Sequence, residues 1–152
     1  MFRSFPLMFF AVVIYNLIWA GTWATHSGMV ALPGVPTSTG VLNAGITLTM
    51  FSGDMWKFSL GDLLILVSLC LLFIELVKAT RTNSTEIINH ALSMVVFIIA
   101  LVEFIVVKGF STSTFFFIMV MCLFDIVAGF TISIVAAKRD LGTPVSGILG
   151  TN

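Results

Sequence analysis

Two stretches of this chain, 87–107 and 114–137, are apolar over a membrane-spanning length, and each contains a carboxylic acid: Glu103 in the first, Asp125 in the second. A helix needs about 20 mostly apolar residues to cross a bilayer. An unpaired acid facing acyl chains there is costly. The pattern therefore predicts two helices whose acids turn toward neighbouring protein. Composition points the same way, with 59% hydrophobic residues, 9% charged residues and a mean hydropathy of +1.14. Soluble domains carry about 25% charged residues. The expected class is an integral membrane protein.

Two further runs complete four expected spans. The first, about 5–24, opens at Arg3 and Pro6 and closes on Trp19 and Trp23, whose amphipathic rings suit the headgroup layer as interface anchors. Its apolar run is long for a secretory leader, and Thr22-Trp23-Ala24 is a poor cleavage site, so it reads as a retained helix. The second span, 60–79, has Asp62 in its first turn, where an acid favours a helix N-terminus. Glu75 and Lys78 stand at i, i+3 near its end, close enough to pair. Lys78 is long enough to snorkel to the interface.

The loop between these spans, 25–58, contains Pro33, Gly34, Pro36 and Gly40, which are expected to break any helix. Beyond them Ile46–Phe51 and Met55–Ser59 alternate on either side of Ser52-Gly53-Asp54. That predicts a β-hairpin, with an irregular loop as the alternative. A lone two-stranded hairpin is marginal in water, so it is expected on the helix ends or the lipid surface, anchored by Trp56 and Phe58. In the polar link before the third span, Ser84 or Thr85 reads as a helix cap supported by Glu86. The tail, 138–152, rich in Gly, Ser, Thr and Pro, is expected to be loose or to serve as an attachment segment.

Under this topology Arg3, Lys78, Arg81, Lys138 and Arg139 share one side, and Lys57 and Lys108 the other. The bias puts both termini in the cytoplasm. The expected fold is thus an all-α membrane protein, a single domain built as a four-transmembrane-helix bundle with a short extracytoplasmic β-hairpin between its first two helices.

Small and polar residues recur at helical spacing: Gly61, Ser68, Glu75 and Ala79 on the second span, Glu86, Asn89, Ser93, Ala100 and Glu103 on the third, Thr114, Cys122, Asp125, Gly129 and Ala136 on the fourth. Such residues mark the faces where membrane helices touch. Asn16, in the middle of the first span, is expected to bond to another helix at the depth of Asp125. With a 1.5 Å rise per residue, Glu103 falls ~8 Å toward the outer face and Glu75 ~8 Å toward the inner. No basic residue shares the middle, so a dry Glu103 or Asp125 is expected to be neutral and to donate hydrogen bonds. Cys70 and Cys122 are expected to be buried thiols.

Several function classes are disfavoured. Seven Lys and Arg spread along a chain of zero net charge make no nucleic-acid stripe. His26 and His90 fall at opposite membrane faces, ~30 Å apart, too far to share a haem iron; His90 is expected to cap or titrate at the inner interface. No Cys, His, Asp and Glu cluster has metal-ligand spacing. Neither a Gly-x-Ser-x-Gly, a His-Glu-x-x-His nor a phosphate loop is present. The chain is therefore expected to be no enzyme and to carry no cofactor.

The segments His90-Ala91-Leu92-Ser93-Met94, Leu101-Val102-Glu103-Phe104, Gly109–Phe116 and Asp125–Phe130 resemble small four-span inner-membrane proteins of proteobacteria. The likeness runs over roughly residues 50–140. It implies an inner-membrane location and a four-span topology, and no activity. The expected role is an accessory or assembly subunit of a larger membrane complex, in contact with the lipid bilayer and with other subunits or itself. In that case Asn16, Glu75, Ser93, Glu103 and Asp125 form a polar seam that stitches helices together. The alternative is a small proton- or cation-conducting protein using Glu103 and Asp125, with the seam as its ion path.

Overall fold

A computed structural model describes residues 6–26, 38–80 and 86–141. In chain order the elements are α1 (Met8–His26), α2 (Ser38–Asn43), β1 (Gly45–Thr49), β2 (Met55–Ser59), α3 (Leu60–Ala79), α4 (Glu86–Val106) and α5 (Ser113–Leu141). Leu60–Ala79, Ile88–Val106 and Ser113–Val135 are long and apolar enough to cross a membrane, whereas Met8–Ala24 is a shorter apolar helical stretch. Three of the four expected spans therefore meet the length requirement.

Helix α5 is the hub, packing against α3, α4 and α1, and α1 in turn touches all three of its long neighbours. Inward positions follow the helical repeat. On α3 the buried set is Gly61, Leu64, Ser68, Leu72, Glu75 and Ala79, which is the expected stripe with two leucines added. On α4 it includes Asn89, Ser93, Val96 and Ala100, and on α5 Ile118, Cys122 and Asp125. Small residues let the helices approach. A Cβ on Gly61 would stand 2.7 Å from Thr114 Oγ1 of α5. Large apolar side chains such as Leu66, Phe73, Ile98, Val102, Phe117 and Phe124 point outward, as they do where lipid is the solvent.

The helix ends have identifiable causes. Ser59 caps α3 in a reciprocal box with Asp62, worth about 1 kcal/mol. Between α4 and α5 the chain turns through Gly109 at φ +94°, a conformation that suits a residue without Cβ. Tyr15 of α1 fastens this turn: its hydroxyl donates to Gly109 O at 3.1 Å and lies 2.6 Å from Thr112 Oγ1, which accepts from Phe115 N at 3.2 Å. The Tyr15 ring is packed against Phe110 and Phe115.

The hairpin is present and antiparallel, pairing Ile46 with Phe58 and Leu48 with Trp56. Because successive strand residues face opposite ways, Ile46, Leu48, Trp56 and Phe58 line one face, while Thr47, Thr49, Lys57 and Ser59 share the other with Met55. Gly53, at φ +89°, lies in the turn. The base is tied to the bundle by Leu60 N donating to Ala44 O at 2.8 Å.

Local expectations are corrected at several points. Gly40, expected to break any helix, lies within α2. The loose tail was expected from Lys138, yet α5 continues through Leu141. Cys122 is buried as expected but Cys70 is exposed, because it falls on the outward face of α3. The caps expected at Ser84 and Thr85, and Arg3 and Arg81, lie outside the described residues.

Candidate functional site

The polar residues of the interior gather in two places. The larger group lies where the start of α1 meets the end of α3. Glu75 is 1% exposed, and its carboxylate accepts from three directions. Leu7 N, at the mouth of α1, donates to Oε2 at 2.8 Å, Lys78 Nζ reaches Oε1 at 3.3 Å, and the Asn89 side-chain amide donates to the same oxygen. The first amides of a helix have no partner within it, and their dipoles favour a negative charge. Glu75 thus caps α1 from a different helix. The expected Glu75–Lys78 pair is present; it is one part of a larger arrangement.

Beside it, His90 and Ser93 of α4 lie near Asp125 of α5, and Asn89 stands one turn before Ser93. All are at least 98% buried. Asp125 lies within electrostatic reach of Glu75, His90 and Lys78 and next to Ser93. Even so, Asp125 Oδ2, Ser93 Oγ, Asn89 Oδ1 and both ring nitrogens of His90 have no hydrogen-bond partner. Buried polar atoms are satisfied in the great majority of cases, so five orphans in one neighbourhood mark it out. Gly129 makes room for the imidazole: a Cβ there would stand 2.2 Å from His90 Cε1. The ring of Phe130 lies alongside, at 6.0 Å. The His90 side chain is thus buried between helices and not open to solvent. It is folded into the α4–α5 contact.

The smaller group is a pair. Asn16 Nδ2 donates to Glu103 Oε2 at 3.0 Å and to its own helix at Val12 O, 3.1 Å. Glu103 is partly buried and turned toward α1. The expectation that Asn16 would sit at the depth of Asp125 is corrected. Because α1 begins inside the bundle, on Glu75, its whole length is displaced toward the opposite end, and Asn16 arrives at Glu103 instead. The same displacement brings Trp19 Nε1 to Lys108 O at 2.8 Å. Trp23 stacks on Trp19 at 6.3 Å and 18°, and Trp56 stands exposed on the hairpin.

The structure therefore brings together Glu75, Ser93 and Asp125, and separately Asn16 with Glu103. Between the groups lie Ala11, Val12, Leu72, Val96, Ala100, Ile118 and Cys122, all buried and apolar. Ser68, at a similar level, spends its hydroxyl on Leu64 O at 2.7 Å. From Ser93 to Glu103 is ten residues of α4, ~15 Å. Sequence reading singled out neither Asn89 nor His90 as a site residue. The signals were present: Asn89 shares a stripe with Ser93 one turn on, and His90 lies on the adjoining face.

A shallow pocket of about 290 Å³ lies beneath the α4–α5 turn, lined by Phe104, Ser111, Thr112, Ser113, Phe116 and Phe117, with no ionisable side chain. Among the described residues, no group of three or more His, Cys, Asp or Glu is arranged to hold a metal ion.

Fold and site together define a largely helical protein of membrane character, with a hairpin and an enclosed polar cluster near one end of the bundle. Comparison with protein-family models, curated proteins and solved structures found no match.

Proposed function

We propose that the chain is a non-enzymatic, four-span protein of the inner membrane, with both termini in the cytoplasm, that serves as an accessory or assembly subunit of a larger membrane complex. Helix α1, 19 residues long, extends ~28 Å at 1.5 Å per residue. That length supports a fourth crossing, and the excess of basic residues on one side supports the orientation. The resemblance to small four-span inner-membrane proteins is consistent with both.

The observation that carries the reading is where polarity falls. Glu75 and Asp125 are buried within the bundle and Glu103 is turned to Asn16 of α1, while the side chains that the long helices turn outward are largely apolar. So is one complete face of the hairpin, where Ile46 is 60% and Trp56 48% exposed. A chain so arranged offers surfaces to lipid and to other membrane proteins. The test is purification in mild detergent through a C-terminal tag. Stoichiometric co-purification of other membrane subunits is the expected result, and a clean monomer or homo-oligomer counts against it.

The second reading, proton or cation conduction through Glu103 and Asp125, is favoured by the orphan atoms around Asp125. Against it stands the buried apolar packing, Val96 and Ala100 included, that lies between Ser93 and Glu103, which are ~15 Å apart along α4. Wild-type protein in liposomes is expected to pass neither protons nor sodium; measurable flux would revive conduction.

A further inference from the structure

We propose that the Asn16–Glu103 pair, where α1 meets α4, is the contact site for a membrane helix of another subunit, one that presents a Lys or Arg side chain at that depth. The inference rests on the accessory-subunit reading and gives the chemistry of its partner.

The pair differs from the interior cluster in where it stands. Glu75 and Asp125 are each 1% exposed, whereas Asn16 and Glu103 are only half-buried and reach the surface of the bundle. Around them the surface is apolar. Leu17 follows Asn16 on α1, and Ile99 and Val106 stand one turn to either side of Glu103 on α4; all three are exposed. Glu103 lies inside the apolar stretch Ile88–Val106, one turn from its end. A carboxyl at the outward surface of such a stretch is costly against lipid, and polar side chains on membrane helices mark the places where another helix packs.

Donors and acceptors select the partner. The Asn16 side-chain amide has two N–H groups. It donates to Val12 O at 3.1 Å and to Glu103 Oε2 at 3.0 Å, so its donors are spent. What remains is acceptor capacity, since no bond to Asn16 Oδ1 or Glu103 Oε1 is made among the described residues. Nor does any charged side chain among those residues act on Glu103; Lys78 is held by Glu75. The site lacks both a donor and a positive charge, and a Lys or Arg side chain supplies the two together. Either is long enough to reach Glu103 from a helix lying alongside. An ion pair out of water is favourable only when further hydrogen bonds complete it, and the Asn16 amide already provides one. A second copy fits this face less well. A two-fold contact sets the same residues against each other, acceptor against acceptor, with no spare amide N–H to cross between them.

The test uses the full chain, labelled with a fluorescent donor at its C-terminus, in liposomes with acceptor-labelled host helices of Leu and Ala. One host helix carries a single Lys one turn inside its outer end, a second carries Leu there, and a third carries the Lys one turn inside its inner end. Energy transfer at matched peptide density reads association. The outer-Lys helix is expected to bind wild type roughly fivefold or more tightly than the other two, the scale of polar contacts between model membrane helices. Glu103→Gln, which keeps the size of the side chain and removes its charge, should reduce that preference sharply. The wild-type comparison decides the matter even if the variant fails to fold. Equal binding of the outer-Lys and Leu helices would overturn the proposal, as would a preference unchanged by Glu103→Gln or matched by the inner-Lys helix. Energy transfer between two labelled copies of the protein that Glu103→Gln abolishes would overturn it in favour of self-association. No native partner enters this measurement, so its failure removes the interface alone, and co-purification judges the subunit role separately.

Discussion

At Glu75, a carboxylate on one helix terminates another. Leu7 N and the Asn89 side-chain amide both donate to it. Leaving a buried donor without its acceptor costs about 1–3 kcal/mol. Glu75→Ala is therefore expected to lower stability by at least about that amount, read as a fall in unfolding temperature in detergent. Glu75→Gln, which keeps an acceptor for the Leu7 amide, should lose clearly less. Gly129→Ala forces a methyl group against His90, and overpacking of this kind costs about 1–3 kcal/mol; the same unfolding measurement checks it. The Glu75–Lys78 pair was legible in the sequence because both residues lie on one helix at known spacing. The contacts with Asn89 and Leu7 were not, since they depend on how separate helices are set in depth.

Among the elements, α1 and the hairpin carry the most information. Sequence periodicity located α1 and its tryptophans, yet gave no sign that the helix starts on Glu75 and so slides Asn16 to Glu103. The hairpin was legible from alternation around Ser52-Gly53-Asp54, because a period of two is a local signal. Its register makes one face wholly apolar, and β2 runs into α3 with no residue between, continuous with the outward apolar side of that helix. Trp56 is accordingly expected to lie in the bilayer interface. In a Trp19→Phe, Trp23→Phe background, brominated lipids should quench Trp56 fluorescence strongly and aqueous acrylamide weakly; the reverse pattern would put the hairpin in water or under a partner. A Cβ on Gly45 would stand 2.1 Å from Phe58 O. Gly45→Ala should thus loosen the strand pairing, with faster amide exchange in β1 and β2.

Across the whole molecule, long apolar runs and their few acids determined the class, the approximate bounds of the long helices and the faces that turn inward. These follow from local composition and a 3.6-residue repeat, which need no knowledge of what lies opposite. The tertiary structure alone decided which polar residues meet. A repeat fixes the direction of a side chain around its own axis and says nothing of the axial offset between helices. For that reason Asn16, expected at the depth of Asp125, meets Glu103 instead, and Asp125 is found near His90 and Ser93. Depth between helices is set by packing, here by Gly61 against Thr114, Gly129 under His90 and Glu75 at the first amide of α1, and these are contacts between residues far apart in the chain.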